Sequence, residues 1–163
     1  VTELISGNAV NNVNVSANVM RSKFYVCPIC GNSIHSMGEA VIQCHGIILA
    51  PCQAEEIDEN HKIFIERVED EYYVRIEHDM TKQHYISFIA ALSSDKLQMV
   101  KLYPEGNPEA RVKMNGVKKI LFYCNRDGLF YINVVKGIDD KQASYDNAEE
   151  RKALEETAKR IFK

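Results

Sequence analysis

Two groups of residues in this chain have the types and spacing of transition-metal ligands. One begins with His78-Asp-Met80-Thr-Lys-Gln-His84-Tyr85-Ile86, two histidines six apart, with the second opening a run that reads as a strand. It continues with Tyr123-Cys124-Asn125-Arg126-Asp127-Gly128-Leu129-Phe130. Imidazole nitrogens with one thiolate form a donor set for soft and borderline ions, iron among them. The other group is Cys27-Pro-Ile-Cys30 followed by Cys44-His45. Two residues between Cys27 and Cys30 form a knuckle that turns both sulfurs onto one ion. Cys44 supplies a third thiolate, and His45 or Cys52 the fourth ligand. Sulfur-rich tetrahedral sets of this kind bind zinc, or iron in the rubredoxin manner.

The elements that must position these groups are mostly strands. Runs at Ile63–Val68 and Tyr72–Ile76 flank the turn Glu69-Asp70-Glu71. Runs at Tyr85–Leu92 and Leu97–Tyr103 flank Ser94-Asp95. Arg111–Met114 and Val117–Tyr123 flank Asn115-Gly116, a strong hairpin signal, and Leu129–Val135 closes the series. About seven short strands at close spacing predict a mainly β chain folded as an antiparallel sandwich. The tyrosines Tyr72, Tyr73, Tyr85, Tyr103 and Tyr123 read as its core, and His35 as a loop residue. Four segments follow: an Asn-rich arm (1–22), a cysteine-rich metal lobe (23–56), the sandwich (57–137) and a C-terminal segment (138–163). The lobe has few large apolar side chains, so a bound metal must supply the stability that its core lacks. In the C-terminal segment, Asp146–Phe162 predicts a helix. Glu149 and Glu150 lie in its first turn, Lys159 and Arg160 in its last, and Leu154, Ala158, Ile161 and Phe162 form one apolar stripe. Such a stripe docks on this domain or on a partner, a second copy of the chain being one choice.

Composition narrows the function classes. The chain has 163 residues, 45% of them hydrophobic, enough for a real core. A net charge of −3 gives no global field for nucleic acid or anionic lipid, and Arg21 and Lys23 alone make a poor phosphate footprint beside the lobe. No apolar run reaches the length of a membrane span. Five cysteines, an odd number, argue against a secreted disulfide framework and for metal binding in a reducing compartment. The expectation is a cytoplasmic protein. A first residue of Val1 suggests a segment upstream.

From Lys23 to about Val134 the chain resembles the desulfoferrodoxin family, whose large domain is the superoxide reductase module. Four pieces carry the resemblance in order: Tyr25-Val-Cys27-Pro-Ile-Cys30-Gly-Asn32 with Cys44; Asn60-His61; His78-Asp-Met80 with His84-Tyr85-Ile86; and Tyr123-Cys124-Asn125 with Gly128-Leu129-Phe130. The resemblance implies an immunoglobulin-like β-sandwich and a small desulforedoxin-like metal lobe. It implies a mononuclear iron held by His61, His78, His84 and axial Cys124, with an open position where superoxide is reduced by one electron to hydrogen peroxide. It also implies an electron donor such as rubredoxin and a place in the response to oxidative stress. Three positions depart from the family pattern. Asp127 stands where the family has a fourth histidine; as a ligand it would be harder and anionic and would favour the ferric state. Gln83 stands where the family has a lysine that attracts the anion, leaving Lys82, one residue earlier, as the candidate for that role. Cys44-His45 stands where the family has adjacent cysteines, which favours zinc over iron in the lobe unless Cys52 is recruited. The alternative reading is therefore a non-catalytic metal- or redox-sensing module, or a structural zinc-holding domain.

Overall fold

The computed structural model describes residues 18–134 and a two-residue strand, Ala143–Ser144. Most of the Asn-rich arm and the predicted helix Asp146–Phe162 lie outside these residues. The chain divides into two compact units, one ending at Pro51 and the other beginning at Cys52.

In the first unit a short 3-10 turn, Val19–Arg21, leads into two antiparallel ribbons. Strand β1 (Lys23–Val26) pairs with β2 (Ser33–Ser36), and β3 (Ile42–Cys44) with β4 (Ile47–Leu49). The β3–β4 turn has both central residues left-handed, His45 at φ 53° and Gly46 at φ 76°, which matches the twist of a tight hairpin. The core is small: Tyr25, Cys27 and Leu49 are buried, with Ile34, Ile42, Cys44 and Ile47 packed beside them. His35 was expected in a loop. It lies in β2, beside the Phe24 ring and within 2.8 Å of Ser22 Oγ, because the alternation from Ser33 to Ser36 continues the ladder.

The second unit is a sandwich of two sheets. One has the order β10 (Glu109–Lys113), β7 (Glu71–Glu77), β6 (Lys62–Val68), β13 (Ala143–Ser144). The other has the order β5 (Ala54–Glu56), β12 (Gly128–Asn133), β11 (Lys119–Cys124), β8 (Ile86–Leu92), β9 (Leu97–Lys101). All pairings are antiparallel except β5 with β12. Because Ala54–Glu56 forms this edge strand, the chain enters the sandwich before residue 57, earlier than composition suggested. Period-2 alternation turns Ile63 and Ile65, Tyr72, Val74 and Ile76, Ala110 and Val112, and Ile120 and Phe122 onto a shared core. Of the tyrosines read as core, only Tyr72 is in it. Tyr103 is 66% exposed and Tyr73 sends its hydroxyl to Glu109, since a phenol with a polar partner need not leave the surface.

The Asn115-Gly116 turn does not make a hairpin. Strand β10 pairs with β7 in one sheet and β11 with β8 and β12 in the other, so the turn carries the chain from sheet to sheet. The left-handed Gly116 supports a tight turn as expected, but Met114 N–H binds Asp70 O at 3.0 Å and Lys118 N–H binds Leu92 O at 2.8 Å. Each flank is thus claimed by a different sheet. Phe122 is fully buried between the sheets. Phe122→Ala should lower stability by about 3–5 kcal/mol in denaturant unfolding. A loss under about 1 kcal/mol would mean that the sheets do not share this core.

Candidate functional site

The alternation that builds the core also aims the histidines. His61 precedes β6 by one residue and keeps the inward parity of Ile63 and Ile65. His78 follows β7 and keeps that of Val74 and Ile76. Because Lys62 pairs with Glu77, these histidines face each other at the open end of one hairpin, their ring centroids 5.3 Å apart. Cys124 ends β11 on the parity of Ile120 and Phe122 and is fully buried. Opposite it the β11–β8 register slips: Tyr123 pairs with Phe88 but Cys124 with Ile86. This bulge at Ser87 restores Ile86 to the core face and re-aims the chain before it. His84 therefore arrives at the same end of the sandwich, its ring centroid 4.4 Å from that of His78.

Donor atoms of His61, His78, Cys124 and Asp127 lie within 4.8 Å of one another. Asp127 Oδ2 sits among them, 2.9 Å from His61 Nε2, 3.4 Å from His84 Nε2 and 3.6 Å from Cys124 Sγ. The remaining ring nitrogens are held from outside. His61 Nδ1 is 2.9 Å from Asp58 Oδ1, and His78 Nδ1 donates to Asp79 O at 2.6 Å. His61 also stacks on Phe130, centroids 4.0 Å apart. The Nε2 atoms of His78 and His84 are buried without a hydrogen-bond partner. Buried polar atoms are rarely left so, and two orphaned imidazole nitrogens facing a thiol and a carboxylate are what a transition ion would satisfy. The residues present fit such an ion.

Electrostatics follow from this packing. Burial lowers the pKa of His78, which keeps its ring neutral, as a ligand must be. Burial also raises the Cys124 thiol, opposed by backbone N–H groups of Arg126 and Asp127 directed at the sulfur. Burial alone would raise Asp127, but hydrogen bonds from His61 and Cys124, with the His84 ring close by, outweigh it and hold its carboxyl below the usual range.

Asn125 ties the two ligand loops together. Its Oδ1 accepts from Tyr85 N–H at 2.9 Å, its N–H donates to Tyr85 O at 3.1 Å, and its amide nitrogen donates to Gln83 O at 3.1 Å. Thr81 and His84 close a tight turn through reciprocal backbone bonds. Met80 fixes the loop from below: its sulfur accepts from Ile86 N–H and its carbonyl from Glu105 N–H. Lys82 is exposed and absent from the lining of the cleft over the site, and Gln83 is held through its carbonyl. Sequence reasoning missed Asp58, whose signal was a carboxylate three residues before His61, and the main-chain carbonyl of Asp79, which residue type does not announce.

In the first unit Cys27, Cys30, Cys44 and His45 converge. Cys30 Sγ is 3.7 Å from Cys44 Sγ, and His45 Nδ1 lies 3.3 Å from Cys44 Sγ and 3.7 Å from Cys27 Sγ. The N–H groups of Cys30 and Ile29 lower Cys27 to about 6, whereas Cys27 and burial raise Cys44 to about 11. Gly31 at φ 75° sends its N–H to Cys27 O and closes the knuckle. Cys52, the alternative fourth ligand, lies in the second unit and is not part of this group. The β3–β4 turn already delivers His45 to the three sulfurs.

No family model matches the chain. Among known proteins it is 29% identical over 117 residues to a desulfoferrodoxin of Desulfarculus baarsii, covering 66% of this chain and 93% of the relative. It is 34% identical over 59 residues to a desulfoferrodoxin of Clostridium acetobutylicum, covering 36% of this chain and 47% of the relative. In fold it matches the crystal structure of the superoxide reductase from Treponema pallidum with a TM-score of 0.62 at 19% identity, over 69% of this chain and 98% of that one. Fold and site define a β-sandwich with a histidine, cysteine and aspartate cluster at one end. In sequence the chain is similar to desulfoferrodoxins, and in fold to a superoxide reductase. Among the described residues no helix is long and apolar enough to cross a membrane.

Asp58 should position His61 for a metal at Nε2, as carboxylates behind ligating histidines do. Asp58→Asn should weaken cobalt binding at this cluster by about 10–100-fold, measured by competition with a chelator, while the thermal midpoint of the metal-free protein moves little. Unchanged affinity would mean that Asp58 does not orient the ring.

Proposed function

We propose that the second unit is a mononuclear iron oxidoreductase of the superoxide reductase type, with His61, His78, His84 and Cys124 as ligands and Asp127 as a fifth donor. The observation that carries this reading is the orphaned Nε2 of His78 in one cluster with His61, Cys124 and Asp127, beside a second Nε2 without a hydrogen bond, that of His84, 3.4 Å from Asp127 Oδ2. Iron held by these residues would supply the one electron that, with two protons, converts superoxide to hydrogen peroxide. The chain's own residues set the conditions. A neutral His78 ring keeps the site poised to take an ion, and N–H groups at Cys124 Sγ offset part of the cost that burial sets on a thiolate. Asp127 adds a second negative charge, which favours the oxidised ion. An exposed edge of Asp127, 45% accessible, gives solvent protons a way to the reacting face. The electron donor is a small redox protein such as rubredoxin.

For the first unit we propose a structural ion held by Cys27, Cys30, Cys44 and His45. Three thiolates and an imidazole favour zinc over redox iron, and a core as small as Phe24, Tyr25, Cys27 and Leu49 cannot hold the lobe without it.

The test is a visible spectrum of iron-loaded protein before and after oxidation. A broad band at the red end should appear on oxidation and vanish in Cys124→Ser. Spectra without that band in either state would turn the reading toward a zinc-holding structural or sensing module. Asp127→His should raise superoxide reduction; no gain would remove Asp127 as the cause of a slow site.

A further inference from the structure

We infer that the mouth of this centre admits cations and holds back small anions, superoxide included. The inference rests on the cluster being an open metal centre. The cleft above it, about 760 Å³, is lined by Glu55, Asp58, Glu77, Asp79 and Asp127 beside the three histidines, Asn60 and Phe130. No lysine or arginine is among the described residues of that lining. These carboxylates come from separate stretches: the edge strand β5, the loop before β6, the end of β7 and the β11–β12 turn. The fold, rather than one acidic run, gathers them. The floor beneath them holds the two orphaned imidazole nitrogens, so the acidic rim surrounds unfilled donors.

The cations near the site lie outside this lining, exposed Arg126 beside Asp127 among them. Lys62 Nζ is 3.9 Å from Glu77 Oε1 and offsets one carboxylate of the five. Lys101 is engaged elsewhere: its Nζ donates to Ser87 O, Ser87 Oγ and Leu102 O, between the rings of Tyr85 and Tyr103. Lys82 is exposed and outside the lining. A concave site with walls of one charge focuses its field on arriving ions and changes encounter rates by about 10–1,000-fold. A divalent ion feels twice the attraction that a monovalent anion feels as repulsion. Ion loading is therefore accelerated and anion entry retarded by the same residues.

The experiment uses the full chain, and its first arm needs no variant. Stopped-flow mixing of metal-free protein with cobalt(II) is followed by the thiolate charge-transfer band, and the phase lost in Cys124→Ser belongs to this centre. That phase should slow roughly tenfold between 0.01 M and 0.5 M ionic strength as screening removes the field. Azide affinity of the iron-loaded protein should move the opposite way and rise with salt. The triple variant Glu55→Gln, Glu77→Gln, Asp79→Asn should reproduce both shifts at low salt, by several-fold each. A cobalt phase indifferent to salt, or azide binding that weakens with salt, would overturn the inference and leave the metal centre standing. If no cobalt phase depends on Cys124, the centre itself is wrong and the inference falls with it.

Discussion

Strand alternation carries inward at the end of the sandwich the side chains that least belong in an apolar interior, and the rest of the site answers that constraint. His61, His78 and Cys124 sit on the same parity as the isoleucines and phenylalanine that form the core. Each must find partners there, because an unpaired buried polar group costs about 1–3 kcal/mol. Without metal, one carboxylate does much of this. Asp127 Oδ2 hydrogen-bonds His61 and Cys124 and lies 3.4 Å from His84 Nε2, while among the described residues the Nε2 atoms of His78 and His84 form no hydrogen bond. A bound ion would replace this arrangement with coordination and satisfy the remainder.

The loops follow from the same requirement. Imidazoles offered through Nε2 need their Nδ1 atoms held from behind, and Asp58 and the Asp79 carbonyl do so for His61 and His78. A ligand on a loop needs that loop fixed, and Asn125 supplies three hydrogen bonds between the chain beside Cys124 and the chain beside His84. The bulge opposite Cys124 sets the phase in which His84 enters. These are small local devices, each worth little alone, that together bring donors from two sheets to one place.

The two units meet the cost of metal ligands in different ways. In the sandwich a large core exists without the ion, so the centre is free to be tuned by charge. In the lobe the buried core is four residues, one of them Cys27, so a sulfur is part of the structural framework. A depressed Cys27 and a raised Cys44 make that cluster a coupled set of titrating sulfurs, which an ion would convert to thiolates together.

Much of this was legible in the chain. The donors, the knuckle, the β-rich class and most strand positions follow from residue type and period-2 alternation, and the inward parity of His61, His78 and Cys124 can be counted from their neighbours. Local signals failed where partners were decided at a distance. Asn115-Gly116 has the chemistry of a hairpin turn, yet its flanking strands pair in opposite sheets, because a turn residue fixes its own dihedrals and not which edge each strand finds. His35 and Tyr103 were misread because exposure depends on neighbours that sequence order does not name. Glu55 with Asp58, Glu77 with Asp79, and Asp127 come from three distant stretches of sequence, and the folded sandwich gathers them around one cleft. Side-chain chemistry and alternation are local properties, so the sequence determined which side chains are candidate ligands and which way His61, His78 and Cys124 face. The field around them is a sum over space, so the tertiary structure decided it.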